Sequence, residues 1–261
     1  MIRYRLIFAS LSLAAVSLSA CKNTPAPSGP STPDYISAAI ADSNRPAADK
    51  ARDANRKPAE TLEFSEVKPG EQIGELLPGD GYFTRLFSKI VGPKGHVFAM
   101  VPQRPANAPA GMPDFGAKPR AIAADPNYSN VSVAEIALAH LGAPSPIDVY
   151  FTAQNYHDLH NFPGLDIAVY NKAVFDSLKP GGLFIVVDHS AEAGSGLRDT
   201  NTLHRIDADT VKKEVAAAGF VFVSASTVLA NAEDPRTAKV FDPTVRGKTD
   251  QFILKFRKPL K

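Results

Sequence analysis

Apolar positions along the chain change their period several times. Gln72–Leu77 and His96–Val101 hold nearly unbroken apolar runs, the pattern of short buried strands. Tyr82–Val91 differs: Phe83, Leu86, Phe87 and Ile90 recur at steps of three and four, which puts them on one helical face. The alternation continues downstream. Val131–Ala137 and Ile147–Ala153 predict strands, Leu165–Leu178 an amphipathic helix opened by Pro163-Gly164, and Leu183–Val187 a strand covered on both faces. Val211–Ala218 reads as a helix stopped by Gly219, and Phe220–Thr227 and Gln251–Phe256 as late strands. Ahead of the first strand, a charged helical stretch runs from about Pro46 to Arg56 and ends before Pro58. Residues 102–120, rich in Pro, Ala and Gly, predict a long surface loop.

Strands that alternate with helices predict a mostly parallel sheet with helices on both faces. Ligands of such sheets sit at the carboxyl ends of the strands, where the strand order switches. Chemistry is therefore expected just after each strand.

The beginning of the chain follows another rule. Arg3 and Arg5 precede an uncharged run from Leu6 to Ala20 that ends in small residues, the pattern of a secretory signal over residues 1–20. Leu18-Ser19-Ala20-Cys21 resembles the lipobox of bacterial lipoproteins. That resemblance implies cleavage before Cys21, acylation of this sole cysteine, and anchoring in the cell envelope. Lys22 in the next position favours the outer membrane, facing the periplasm. Residues 21–33, with Pro25, Pro27, Pro30 and Pro33, predict an extended tether, and 34–261 the folded domain.

Composition narrows the field. With 44% hydrophobic and 21% charged residues, wholesale disorder is excluded, and one cysteine cannot form an internal disulfide framework. The formal charge is +2, and Arg3 and Arg5 supply that excess. The rest of the chain balances, so no bulk attraction to nucleic acid is expected.

The segment Glu75-Leu76-Leu77-Pro78-Gly79-Asp80-Gly81-Tyr82-Phe83-Thr84 joins the first strand to its helix. Its glycines allow a ligand close to the backbone, and the helix start presents free N–H groups. Gly92-Pro93-Lys94-Gly95 leads into the next strand and Leu178-Lys179-Pro180-Gly181-Gly182 into a later one. With these turns the chain resembles the class I S-adenosylmethionine-dependent methyltransferases. More narrowly it resembles an exported branch sharing Arg52-Asp53-x-x-Arg56, the turn from Pro78 to Thr84, Asn155-Tyr156-His157-Asp158, Leu203-His204-Arg205-Ile206 and the stretch from Arg246 to Asp250. The resemblance spans roughly residues 45–259. It implies an α/β Rossmann-like methyltransferase fold, a seven-stranded sheet ending in an antiparallel hairpin, S-adenosylmethionine as cofactor, and a small-molecule acceptor. Carried over residue by residue, the cofactor contacts fall on Glu75, Leu77, Pro78, Gly79, Asp80, Gly81, Tyr82, Thr84 and Val101. Two positions depart from the family pattern. Leu77 stands where the first glycine of acid-x-Gly-x-Gly-x-Gly belongs, and Val101 where the second strand carries an acid for the ribose.

A polar cluster completes the picture. His157 and His160 follow the fourth strand, His189 ends the fifth, and His204 approaches the next helix, which predicts four histidines at one sheet edge. Histidine is the natural general base near neutral pH. In the methyltransferase reading, His157 or Asp158 deprotonates the acceptor, Asn155 and Tyr156 line the site, and His189, His204 and Arg205 contact the substrate. His157, Asp158, His160, Asp188, His189 and His204 also offer donors to a divalent ion, but no His-Glu-x-x-His spacing occurs and no metal is assigned. Two alternatives stand beside methyl transfer. One is a catalytically silent binding module of the same fold, suggested by Leu77 and Val101. The other is a metal-dependent hydrolase built on the His/Asp cluster. Val240–Asp250 is a candidate lid, with Arg246 and Lys248 as anion contacts.

Overall fold

A computed structural model describes residues 32–105, 107–109, 111–142 and 146–261. The signal-like run, Cys21 and the tether up to Ser31 lie outside the described residues.

Five strands run parallel: β1 (Gln72–Leu76), β2 (His96–Pro102), β3 (Val131–Ile136), β4 (Ile147–Ala153) and β5 (Leu178–His189). The last two, β6 (Val221–Ser226) and β7 (Gln251–Arg257), pair antiparallel, and β7 inserts between β5 and β6. The order is β3-β2-β1-β4-β5-β7-β6, with the hairpin that the resemblance implies. Order reverses between β1 and β4, so the crevice at a switch point opens there.

Side-chain alternation assigns the two faces. In β5, Leu183, Ile185 and Val187 point into one core while Phe184 and Val186 point into the other. The first core is closed by α1 (Asp34–Ala41), α4 (Pro58–Ser65) and α5 (Tyr82–Val91). Phe83 and Phe87 of α5 pack against Phe151 of β4, tilted and edge-to-face, at ring distances of 4.7 and 5.0 Å. Each such buried ring contributes roughly 1.5–3 kcal/mol. The second core is closed by α7 (Tyr156–Leu159), α8 (Ile167–Ser177) and α9 (Ala208–Ala217).

Most predicted elements appear within a few residues of their expected bounds. The chain before β1 differs. The single helical stretch expected over Pro46–Arg56 is two short helices, α2 (Ala47–Lys50) and α3 (Asp53–Arg56), and α1 and α4 flank them. Pro58, read as a stop, instead occupies the first turn of α4, where its missing N–H costs nothing. The predicted loop over residues 102–120 contains the start of α6 (Ala117–Ala123). Ile122 of α6 lies against Gly81, where an added Cβ would sit 2.1 Å from Ile122 Cδ1, and with φ at 76° the turn after β1 favours glycine there.

Candidate active site

The site begins at the end of β1. Leu77 takes a left-handed backbone (φ 54°), a conformation that costs a β-carbon residue about 1 kcal/mol or more. Two bonds hold it. Its N–H donates to the Met100 carbonyl of β2 at 2.9 Å, and its carbonyl accepts from Asn155 Nδ2 after β4 at 2.9 Å. Asn155 is fixed in turn, since its Oδ1 accepts from Thr152 Oγ1. The turn thereby ties together the carboxyl ends of three strands.

These strand ends enclose a cavity of about 530 Å³. One wall is Leu77, Pro78 and Gly79, the second Val101 and Pro102, and the third Asn155 and Asp158, while Met112, Phe115 and Phe162 supply an apolar rim. The volume falls within the range of about 300–1,000 Å³ typical of small-molecule sites. A second hollow of about 400 Å³ adjoins it, sharing Val101, Phe115 and Phe162.

The polar cluster lies on the same edge. Asp188, fully buried at the end of β5, accepts from the backbone N–H of His157 at 2.7 Å and of His189 at 2.8 Å. His157 Nδ1 lies 2.8 Å from Asp188 Oδ1, and its Nε2 lies 3.2 Å from Asp158 Oδ1. Burial opposes charge on His157, but Asp188 and Asp158 outweigh it and push its pKa up to about 10. Asp158 is also desolvated, yet His157 and His204 hold its carboxyl below the usual range. Of the two candidate bases, His157 is thus held towards its protonated form by two carboxylates, while Asp158 is the carboxylate in the cavity wall. Burial pushes His189 down to about 4, so it stays neutral, and its Nδ1 meets Thr249 Oγ1 at 2.7 Å.

Leu77, Pro78, Gly79, Val101, Asn155 and Asp158 therefore share the cavity wall, while His157 and His204 stand behind Asp158. Other expected contacts are elsewhere. Glu75 is buried beneath the turn, accepts from Thr84 Oγ1 at 2.5 Å, and is pushed up to about 8 by desolvation. Tyr82 is buried too, its hydroxyl donating to Asp53 Oδ1 at 2.6 Å. Asp80 is exposed and paired with Lys118. These residues, with Gly81, support the turn and are not part of the wall.

Two assignments are overturned. Tyr156 points into the second core, with its hydroxyl accepting from Asn171 Nδ2 at 2.8 Å and donating to Glu214 Oε2 at 3.1 Å. Its ring is too buried to face a methyl group. Arg205 is fully buried and forks onto Asp234 at 2.8 and 3.1 Å, with Nε donating to the Ala238 carbonyl. With Nη1 also donating to the Ser190 carbonyl at 3.1 Å, four of its five N–H donors are engaged inside the protein, and the side chain does not reach the cavity wall. His160 packs on Tyr156 at a ring distance of 6.0 Å, away from the cavity wall. Val240–Asp250 passes beside the cluster, with the Phe241 ring 4.9 Å from His204, and contributes nothing to the cavity wall.

Arg56 was not singled out from the sequence, although its motif was visible. Three arginines surround Tyr82, and two are neutralised: Arg45 by Asp53 and Arg52 by Asp49. Among the described residues Arg56 has no carboxylate partner and donates instead to Gln154 Oε1 at 2.7 Å, next to Asn155. Desolvation, reinforced by Arg52, lowers its pKa to about 10. A desolvated cation without an acid is a ready anion site.

No family model matches the chain. The ubiquinone/menaquinone biosynthesis C-methyltransferase of Vibrio cholerae is 29% identical over 150 residues, which are 55% of this chain and 52% of that protein. Its counterpart in Vibrio vulnificus is 29% identical over 133 residues, 50% and 45% of the two chains. The chain spans about half the length of these curated relatives. Among solved structures, a SAM-dependent methyltransferase from Aquifex aeolicus superposes with a TM-score of 0.57 at 17% identity, covering 82% of this chain and 98% of that one. The glycopeptide N-methyltransferase MtfA in complex with S-adenosylmethionine gives 0.52 at 14% identity, with 77% and 86% covered. The [4+2]-cyclase SpnF gives 0.54 at 16% identity, with 82% of each chain covered. The fold is that of the SAM-dependent methyltransferases.

Proposed function

We propose that the chain is an S-adenosylmethionine-dependent methyltransferase acting on a small, largely apolar acceptor. The observation that carries this reading is the cavity at the ends of β1, β2 and β4, at the switch in strand order, walled by the turn from Leu77 to Gly79. The residues present fit an amino-acid-bearing nucleoside. Gly79 leaves open space for close approach; Arg56, outside the wall but bonded to Gln154 next to Asn155, has no acid partner among the described residues and is suited to the ligand's carboxylate. S-adenosylmethionine supplies the electrophilic methyl group. The chain's own residues bind and orient both partners, which is the main source of acceleration in such a displacement. Asp158, ionised and in the cavity wall, takes the acceptor's proton. The apolar rim of Met112, Phe115 and Phe162 selects an acceptor with a hydrophobic body.

A second reading rests on Leu77 and Val101, which both line the cavity where the family pattern has glycine and an acid. It keeps ligand binding without methyl transfer, and the fold of SpnF shows that this scaffold serves other chemistry. Calorimetry with S-adenosylmethionine and S-adenosylhomocysteine, followed by transfer of a labelled methyl group to quinol-like and phenolic acceptors, tests both. Binding with transfer supports the first reading and binding without transfer to any acceptor the second. No heat at millimolar ligand refutes both. For the beginning of the chain we propose a lipid anchor at Cys21, on its lipobox-like context. Metabolic labelling with palmitate, lost in Cys21→Ser, tests it.

A further inference from the structure

We propose that His157, Asp158 and His204 form a binding site for a divalent transition-metal ion. The three side chains come from two segments, α7 and the loop before α9. Even so, His157 Nε2 and His204 Nδ1 each lie 3.2 Å from one oxygen, Asp158 Oδ1. One donor atom from each residue falls within 4.8 Å of the other two. An ion bonded at about 2.1 Å separates two ligands by about 3.0 Å at a right angle and about 3.4 Å at a tetrahedral angle. The observed 3.2 Å lies between these values. The two imidazole rings stand at 84° with centroids 5.5 Å apart, so they do not stack.

A second observation concerns the other nitrogen of His157. Nδ1 lies 2.8 Å from Asp188 Oδ1, and that buried carboxylate is locked by the backbone N–H groups of His157 and His189. A carboxylate behind a histidine fixes ring and tautomer so that the far nitrogen faces an ion, a recurrent arrangement around protein-bound metals. The ion takes the place between Nε2 and Asp158 that a proton otherwise holds. Two imidazoles and one carboxylate suit zinc or ferrous iron and leave coordination positions free. Asp158 also belongs to the cavity wall, so an ion held there would lie at the cavity's edge and, in place of a free Asp158 carboxylate acting as base, would lower the pKa of an acceptor hydroxyl bound to it. The site does not depend on the methyl-transfer reading.

The test titrates zinc(II) and, separately, cobalt(II) into the metal-stripped full-length chain. The expected result is one ion per chain, micromolar or tighter for zinc, with visible cobalt d–d bands. His204→Ala and Asp158→Asn change partly exposed side chains and are expected to keep the far-ultraviolet circular dichroism. Each weakens zinc about 100-fold, and Asp188→Asn weakens it about tenfold or more. Absence of stoichiometric zinc, or zinc binding unchanged in His204→Ala and Asp158→Asn, overturns the site. Calorimetry of S-adenosylhomocysteine on the same metal-stripped sample reads the methyltransferase proposal separately.

Discussion

Asp234→Ala tests Arg205 as part of a buried internal strut. Both side chains are fully buried, and the guanidinium forks onto the carboxylate with bonds of 2.8 and 3.1 Å. Asp234 also accepts from the backbone N–H groups of Asp250 at 2.7 Å and Arg236 at 3.0 Å, so it joins β7 to the turn before it. Removing it leaves Arg205 charged, with only the carbonyls of Ser190 and Ala238, and strands two amides. Breaking a buried pair from one side costs about 3–5 kcal/mol. For a domain of this size that corresponds to a fall of about 6–20 °C in Tm. Urea and thermal unfolding by circular dichroism measure it. A loss below about 1 kcal/mol would contradict the internal-strut reading and return Arg205 to the candidates for substrate contact.

Other outcomes follow from the same structure. Arg56→Met is expected to weaken S-adenosylhomocysteine about 10- to 150-fold, the worth of one charge-assisted bond of about 1.5–3 kcal/mol, with stability held within about 1 kcal/mol; unchanged affinity by calorimetry removes the anion role. Val101→Asp restores an acid beside the cavity and is expected to tighten adenosine-bearing ligands about tenfold or more; equal affinity in parent and variant refutes that placement. Glu75 has its folded pKa raised from 4.5 to about 8, so its contribution to stability is present below pH 4.5 and lost as pH rises through about 8. Glu75→Gln is therefore expected to gain stability relative to the parent as pH rises from 5 to 9, and a gap independent of pH in urea unfolding would show that Glu75 is not buried as described.

Periodicity carried most of the fold because both faces of the sheet are covered. β5 and α5 owe their legibility to residues such as Ile185 and Phe87, which have a core on their side and nothing else to do. The segment before β1 was hidden because α2 and α3 are one turn each and are held by Arg45–Asp53 and Arg52–Asp49 pairs, which no hydrophobic period announces. Site residues were legible where the backbone itself makes the wall, as at Leu77–Gly79. They were misread where a polar side chain found an internal partner. Tyr156 and Arg205 have the chemistry of a site, but Asn171, Glu214 and Asp234, distant in sequence, consume it. Arg56 is the opposite case: its significance lies in having no acid partner among the described residues, and a sequence displays only residues that are present.

In the methyltransferase reading, an adenosine-bearing molecule occupies the hollow between the ends of β1, β2 and β4. Methyl NMR of the full chain titrated with S-adenosylhomocysteine tests it most directly. Saturable shifts are expected at Leu77, Val101 and Met112, with Val169 and Leu260, which are exposed and outside the hollow, unmoved. Shifts confined to other methyl groups, or none at millimolar ligand, would contradict it.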